Sequence, residues 1–238
     1  MVTKKLQPGR NNDGLGLYLK RVFALMFGAV ALTAVASFFT MITPLWSMLF
    51  NGAGGMSAFY YILIFGGLGL SIWAQVRAFH LKPLTAGLLL ALYAVLIGIT
   101  MTPLIAYAVT NNPLTILSAF VLAALMFACM ALFGYKTVKN LSFLGVFLSV
   151  GMIGLILVGI ASIFWPAIIG GTFGTIVCLA GVLIFALFTA YDMQNLKQAY
   201  QYVGDDTQKN QLAVLGALHL YISFVAMFQY LLSLFNRD

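Results

Sequence analysis

The tightest constraint in this sequence is where its charge is missing. Between residues 22 and 234 one apolar run follows another, and only 7% of the chain is Asp, Glu, Lys or Arg while 63% is hydrophobic. A water-soluble domain carries about 25% charged residues, so this chain has too little polar surface to face water on all sides. A span needs roughly 20 mostly apolar residues. Seven runs meet that length: 22–43, 58–79, 84–108, 115–135, 141–164, 172–192 and 212–234. The breaks between them carry turn chemistry, at Asn51-Gly52, Lys82-Pro83, Asn112-Pro113, Trp165-Pro166 and Gly204-Asp205. The expectation is an all-α membrane protein with seven transmembrane helices. It has a basic tail at 1–21, a transmembrane domain at 22–234 and a short tail at 235–238. The run after the basic tail is too long for the core of a cleaved signal, so it reads as a retained first span.

Charge orients the spans. Eleven of the twelve Lys and Arg residues lie in the N-terminal tail and in the loops after the second, fourth and sixth spans. The opposite loops hold none, and only Arg237 falls on that side. By the positive-inside rule the N-terminus is cytoplasmic and the C-terminus outside. The same rule accounts for the net charge of +7 without nucleic acid as a partner. Small residues recur one helical turn apart at Ala29, Thr33 and Ser37, at Gly98 and Thr102, and at Gly145 and Ser149, which predicts close helix packing. Pro103 removes one backbone donor from the third span and predicts a kink.

Catalytic constellations are absent from the sequence. It has no Glu, no HExxH, no phosphate-cradling loop and no GxSxG, and its two His residues, His80 and His219, do not form a metal set. Cys129 and Cys178 lie in apolar runs without CxxC spacing and read as buried free thiols. The expectation is a protein that is not an enzyme and has no cofactor.

Ionisable groups in or beside spans are costly and face a protein interior or an aqueous cavity. Three stand out. Asp192 closes the sixth run, in IFALFTAYDMQNLK; Arg77 closes the second; His219 lies in the seventh, one turn from Ser223. Each also has a plainer reading: Arg77 as a snorkelling anchor, Asp192 as a helix-end residue among headgroups, His219 as a neutral imidazole bonded to a carbonyl. Asp192 and Arg77 fall at the same level of the membrane, which predicts that they pair.

Four segments in order then resemble the Bax inhibitor-1 family of seven-span membrane proteins, in its bacterial branch. They are YLKRVFALMFGAVALTAVASFF, ALFGYKTVKNLSFLGVFLSVGMIGLILVGIASIFW, GVLIFALFTAYDMQNLK and ALHLYISFVAMFQYLLSLF. The resemblance covers the chain from about Tyr18 to Phe235. It implies a central seventh helix surrounded by the other six. It also implies, from some bacterial members, a pH-sensitive calcium leak controlled by two aspartates. The first maps onto Asp192. The second belongs in LYLDFIN, and here the run is LYISFVA, so Ser223 stands in its place and Ala226 in the place of the Asn. The family's arginine on the second helix maps onto Arg77. An acidic residue within that helix has no counterpart in IFGGLGLSIW.

Two carboxylates in contact share a proton, because both cannot ionise cheaply. With Ser223 in one place that device is gone. Its replacement is expected in His219 with Asp192, since histidine titrates in the physiological range. Ser at this position also resembles a bacterial member that restrains a membrane-anchored ATP-dependent protease. Two functions therefore stay open: an inner-membrane cation leak, with Ca2+ as the ion and Asp192 as its contact, and a non-conducting regulator bound to a protease complex.

Overall fold

The computed structural model describes residues 8–52, 55–77, 82–203 and 205–237. Side chains are described for 14–52, 55–74, 82, 84–203, 205 and 207–237. The α-helices, in chain order, are α1 (Pro8–Ile42), the one-turn α2 (Leu45–Met48), α3 (Ala58–Arg77), α4 (Pro83–Asn111), α5 (Leu114–Lys136), α6 (Ser142–Phe164), α7 (Gly171–Tyr202) and α8 (Asp206–Phe235), with a 3-10 turn at Pro166–Ile169. A lone antiparallel bridge between Phe50 and Met56 is the only extended pairing among the described residues.

Six of these helices, α1 and α4 to α8, are long and apolar enough to cross a membrane. The described apolar stretch of α3, Ala58–Ala74, is shorter than that. The protein is thus an all-helical, multi-pass membrane protein. The helices overrun the apolar runs of the sequence. α1 begins at Pro8 and passes through residue 21, placing Leu15, Tyr18 and Leu19 in the core. α7 continues to Tyr202, ten residues beyond Asp192. At 1.5 Å per residue α7 is about 48 Å long, more than the ~30 Å hydrocarbon slab, so its last turns project from the slab.

α8 forms the axis. Tyr221, Leu220, Met227, Leu232, Ala213 and Ala217 on it are fully buried. Its main packing partners are α7, α1, α5 and α4. That corrects the expectation of six surrounding helices: α3 packs chiefly on α4, and α6 on α7 and the 3-10 turn. The outer pair therefore forms a second layer.

Small residues set the closest approaches, as their spacing predicts. A Cβ on Gly98 would run into the Thr33 carbonyl and Ala36 of α1, and one on Gly145 into the Tyr191 ring of α7. Without small side chains at these points the backbones could not approach so closely. Hydroxyls fasten the same seams. Thr33 Oγ1 and Tyr221 OH are 2.6 Å apart, Thr33 also donates to the Ala94 carbonyl, and Ser37 lies 3.2 Å from Thr102. Pro103 sits inside α4, and the Oγ1 of its neighbour Thr102 bonds back to the Gly98 carbonyl.

The two ends of the bundle differ in chemistry. The basic end holds the α5–α6 and α7–α8 connections. The neutral end holds the α4–α5 and α6–α7 connections and the C-terminal residues. Gly171, at φ +52°, makes the turn from the 3-10 segment into α7 in a conformation that a side chain disfavours.

Candidate functional site

Asp192 lies on α7 where that helix crosses α8. It is partly buried, and Ser223 Oγ donates to its Oδ2 at 3.4 Å. Ser223 is itself buried, at 3% exposure. Asp192 is the one acidic residue within the six candidate spans. A carboxylate removed from water costs several kcal/mol unless hydrogen bonds or a counter-charge compensate, and the Ser223 hydroxyl supplies one such bond. Its placement revises the sequence reading. Asp192 is not the last residue of its helix, and it faces the central helix rather than headgroups. Counted from Gly171 it lies about 32 Å along α7, near the far edge of the hydrocarbon slab.

His219 sits one turn from Ser223 on α8, thirteen residues into a helix that begins at Asp206. It and Asp192 make neither an ion pair nor a hydrogen bond with each other among the described residues, and its buried Nε2 has no hydrogen-bond partner there. The structure thus joins Asp192 to Ser223 and leaves His219 apart. The physical reason is register: Ser223, one turn farther along α8, occupies the place opposite Asp192. Arg77 ends α3, but its side chain lies outside the described residues, and so does the expected pairing with Asp192. His80 also lies outside them.

Two neighbours of Asp192 carry contacts that the hydropathy reading missed. Gln194 holds the α5–α6 connection with both ends of its amide: Nε2 donates to the Lys139 carbonyl at 2.8 Å, and Oε1 accepts from Leu141 N–H at 2.9 Å. Lys197 Nζ donates to the Tyr135 carbonyl at 2.9 Å and lies 5.1 Å from the centre of the Tyr135 ring. Beneath them, the Cβ of any residue larger than glycine at 134 would run into the Ala190 backbone. The stretch YDMQNLK therefore has two jobs on one helix. Asp192 faces α8, while Gln194 and Lys197 hold the far end of α5 and the start of α6. The signal was present in the sequence as a glutamine two residues after the aspartate, but an amide's partners cannot be read from one chain.

At the same end Arg21 of α1 donates to the Asn210 side chain of α8. The Tyr18 and Tyr200 rings lie 4.9 Å apart, and Lys209 lies 5.8 Å over the Tyr200 ring. The basic end is thus tied together from α1, α7 and α8.

Comparison with known proteins shows which family the chain resembles over nearly its whole length. The family described as "Inhibitor of apoptosis-promoting Bax1" matches residues 16–238. A Caulobacter vibrioides protein of undescribed function is 34% identical over 229 residues, covering 94% of this chain and 88% of its own length. The inner membrane protein YbhL of Escherichia coli is 32% identical over 230 residues, covering 94% and 93%. RP147 of Rickettsia prowazekii is 28% identical over 222 residues, covering 93% and 89%.

Proposed function

The chain belongs to the Bax inhibitor-1 family of integral membrane proteins, and on that premise we propose that it is a pH-sensitive cation leak held closed by Asp192 against Ser223. Ca2+ is the proposed ion. The protein is placed in the inner membrane with seven spans, α3 counted among them, the N-terminus in the cytoplasm and the C-terminus outside. No catalytic role is assigned to any residue. The observation that carries the reading is the single carboxylate within the spans, turned onto the central helix and hydrogen-bonded there.

The sign of the pH response follows from that contact. A hydrogen bond to an ionised carboxylate is roughly twice as strong as one between neutral groups. Protonating Asp192 therefore weakens the hold of α7 on α8, and flux rises as pH falls. His219 is assigned a modulating place one turn away, and Arg77 a place at the same level of the bundle. The contact of Ser223 with Asp192, and the lack of one between Asp192 and His219 among the described residues, supports assigning the pH response to Asp192 and Ser223.

The test is Ca2+ flux into dye-loaded liposomes across a pH series, for the unaltered protein and for Asp192→Asn, Ser223→Ala, Ser223→Asp and His219→Ala. Flux above that of empty liposomes, rising in acid and made pH-independent by Asp192→Asn, supports the leak. Ser223→Asp places two carboxylates in contact and should add a response in the acid range. Full retention of the pH response in His219→Ala agrees with the Asp192–Ser223 assignment.

The second reading, a non-conducting regulator of a membrane-anchored ATP-dependent protease, is favoured by the serine itself, which supplies no charge to a leak. Absence of flux at every pH, with recovery of a membrane protease on purification in mild detergent, selects it. A reporter active only in the cytoplasm, fused after Asp238, tests the orientation; activity there would reverse it.

A further inference from the structure

At the neutral end, the last described residues of the chain fold back onto the mouth of the α7–α8 interface. Arg237 Nη2 donates to the Ile169 carbonyl at 2.8 Å and Nη1 to the Gly171 carbonyl at 3.3 Å. Thr115 Oγ1, at the start of α5, donates to Asn236 Oδ1 at 3.4 Å. The guanidinium lies over Gly174, where any Cβ would meet it. One turn deeper on the same face of α7, Cys178 is 3% exposed and its thiol lies 3.6 Å from Ser233 Oγ of α8. Arg237, the sole cation at this end among the described residues, thus spans three elements: the end of α8, the 3-10 turn and the start of α7.

We infer that Asn236 and Arg237 form a clasp that keeps the neutral end of the α7–α8 interface shut. Two features argue for a clasp rather than for a solvated helix end. A surface arginine directs its donors to water, whereas here both terminal nitrogens are committed to carbonyls, and each such charge-assisted bond outweighs a neutral one. The guanidinium also packs over Gly174, where a Cβ would meet the Ile169 carbonyl that Arg237 binds as well as the guanidinium itself. The interface below contains the buried thiol of Cys178. The Asp192–Ser223 contact lies on the same two helices about 21 Å farther along α7 than Cys178, so one interface is fastened at two depths by different chemistry. The clasp does not depend on whether the protein conducts.

Cys178 reports directly on it. A buried thiol reacts at a rate set by the fraction of time its cover is open. In liposomes, with Cys129→Ser removing the exposed thiol, the rate of Cys178 alkylation by N-ethylmaleimide is measured for the parent, Arg237→Ala and Arg237→Lys. The expected result is a rise of about tenfold in Arg237→Ala, a free-energy change of about 1.4 kcal/mol, with a smaller rise in Arg237→Lys. A separate protein lacking both native thiols and carrying Ala213→Cys, buried near the basic end, serves as control in the same backgrounds. A rise confined to Cys178 supports the clasp. Rates within about threefold of the parent overturn it, and so does an equal rise at both positions, which would make Arg237 a brace for the whole fold.

Discussion

α6 and α8 are both long enough to cross a membrane and are opposite in situation. α6 is among the helices of highest mean hydropathy, yet it is the least buried of the six candidate spans, and Phe143, Val146, Phe147, Val150 and Leu157 face outward. α8 has the lowest mean hydropathy and is the most buried. In water the order would be reversed. In a bilayer the solvent is itself apolar, so outward-facing side chains are mostly hydrophobic, while a central helix can carry Ser223 and Tyr221 where α7 and α1 receive them. Hydropathy in this chain measures contact with lipid, and polarity marks the axis.

That contrast can be broken most sharply at Tyr221. Its ring is fully buried and its hydroxyl is bound to Thr33. Tyr221→Ala leaves a cavity, with an expected loss of about 3–5 kcal/mol, read as a lowered midpoint of unfolding in mixed micelles with increasing SDS. A loss below about 1 kcal/mol would mean that α8 is not the packed axis.

A smaller effect sharpens the comparison within α6 itself. The one side of α6 that packs tightly includes Gly145, against the Tyr191 ring, whereas Gly159 has open space around it. Gly145→Val is expected to cost about 1–3 kcal/mol by overpacking; Gly159→Val should be near neutral in the same titration. Equal effects would remove the distinction between the packed and lipid faces.

The smallest expected effect is at Phe147, which is 64% exposed. Phe147→Ala should lie within about 0.5 kcal/mol of the parent. A large loss in the bilayer but not in detergent micelles would show that another protein surface, rather than lipid, covers α6.

The sequence made the existence of the helices legible because lipid contact leaves long apolar runs, and it made close approaches legible through Gly98 and Gly145. It hid the helix ends. α1 reaches back to Pro8 and α7 on to Tyr202 through residues that no bilayer selects for, and only backbone hydrogen bonding marks those limits. The layering was hidden too, since an apolar residue facing lipid and one facing another helix look alike in sequence. Within the candidate site, the family likeness placed Ser223 opposite Asp192, and the structure brings the two into contact. Depth along the helix did not exclude a pairing of Asp192 with His219, because register between α7 and α8 depends on the 203–205 connection and on where each helix starts. Gln194 and Lys197 escaped notice because their partners are backbone carbonyls and an N–H, which have no letter in a sequence.

The low hydropathy of α8 also bears on how the protein is made. Ribosomal synthesis delivers α1 to α7 before α8, so the most polar of the six candidate spans enters the bilayer after the other five. Alone in lipid, its Ser, His, Tyr and Gln side chains would lack partners. Beside α1 and α7, Tyr221 meets Thr33 and Ser223 meets Asp192. Insertion of α8 is therefore expected to be assisted by the earlier helices, which act as its receiving template. The final step of biogenesis completes the axis, brings Ser223 to Asp192 and then draws Arg237 across the neutral end.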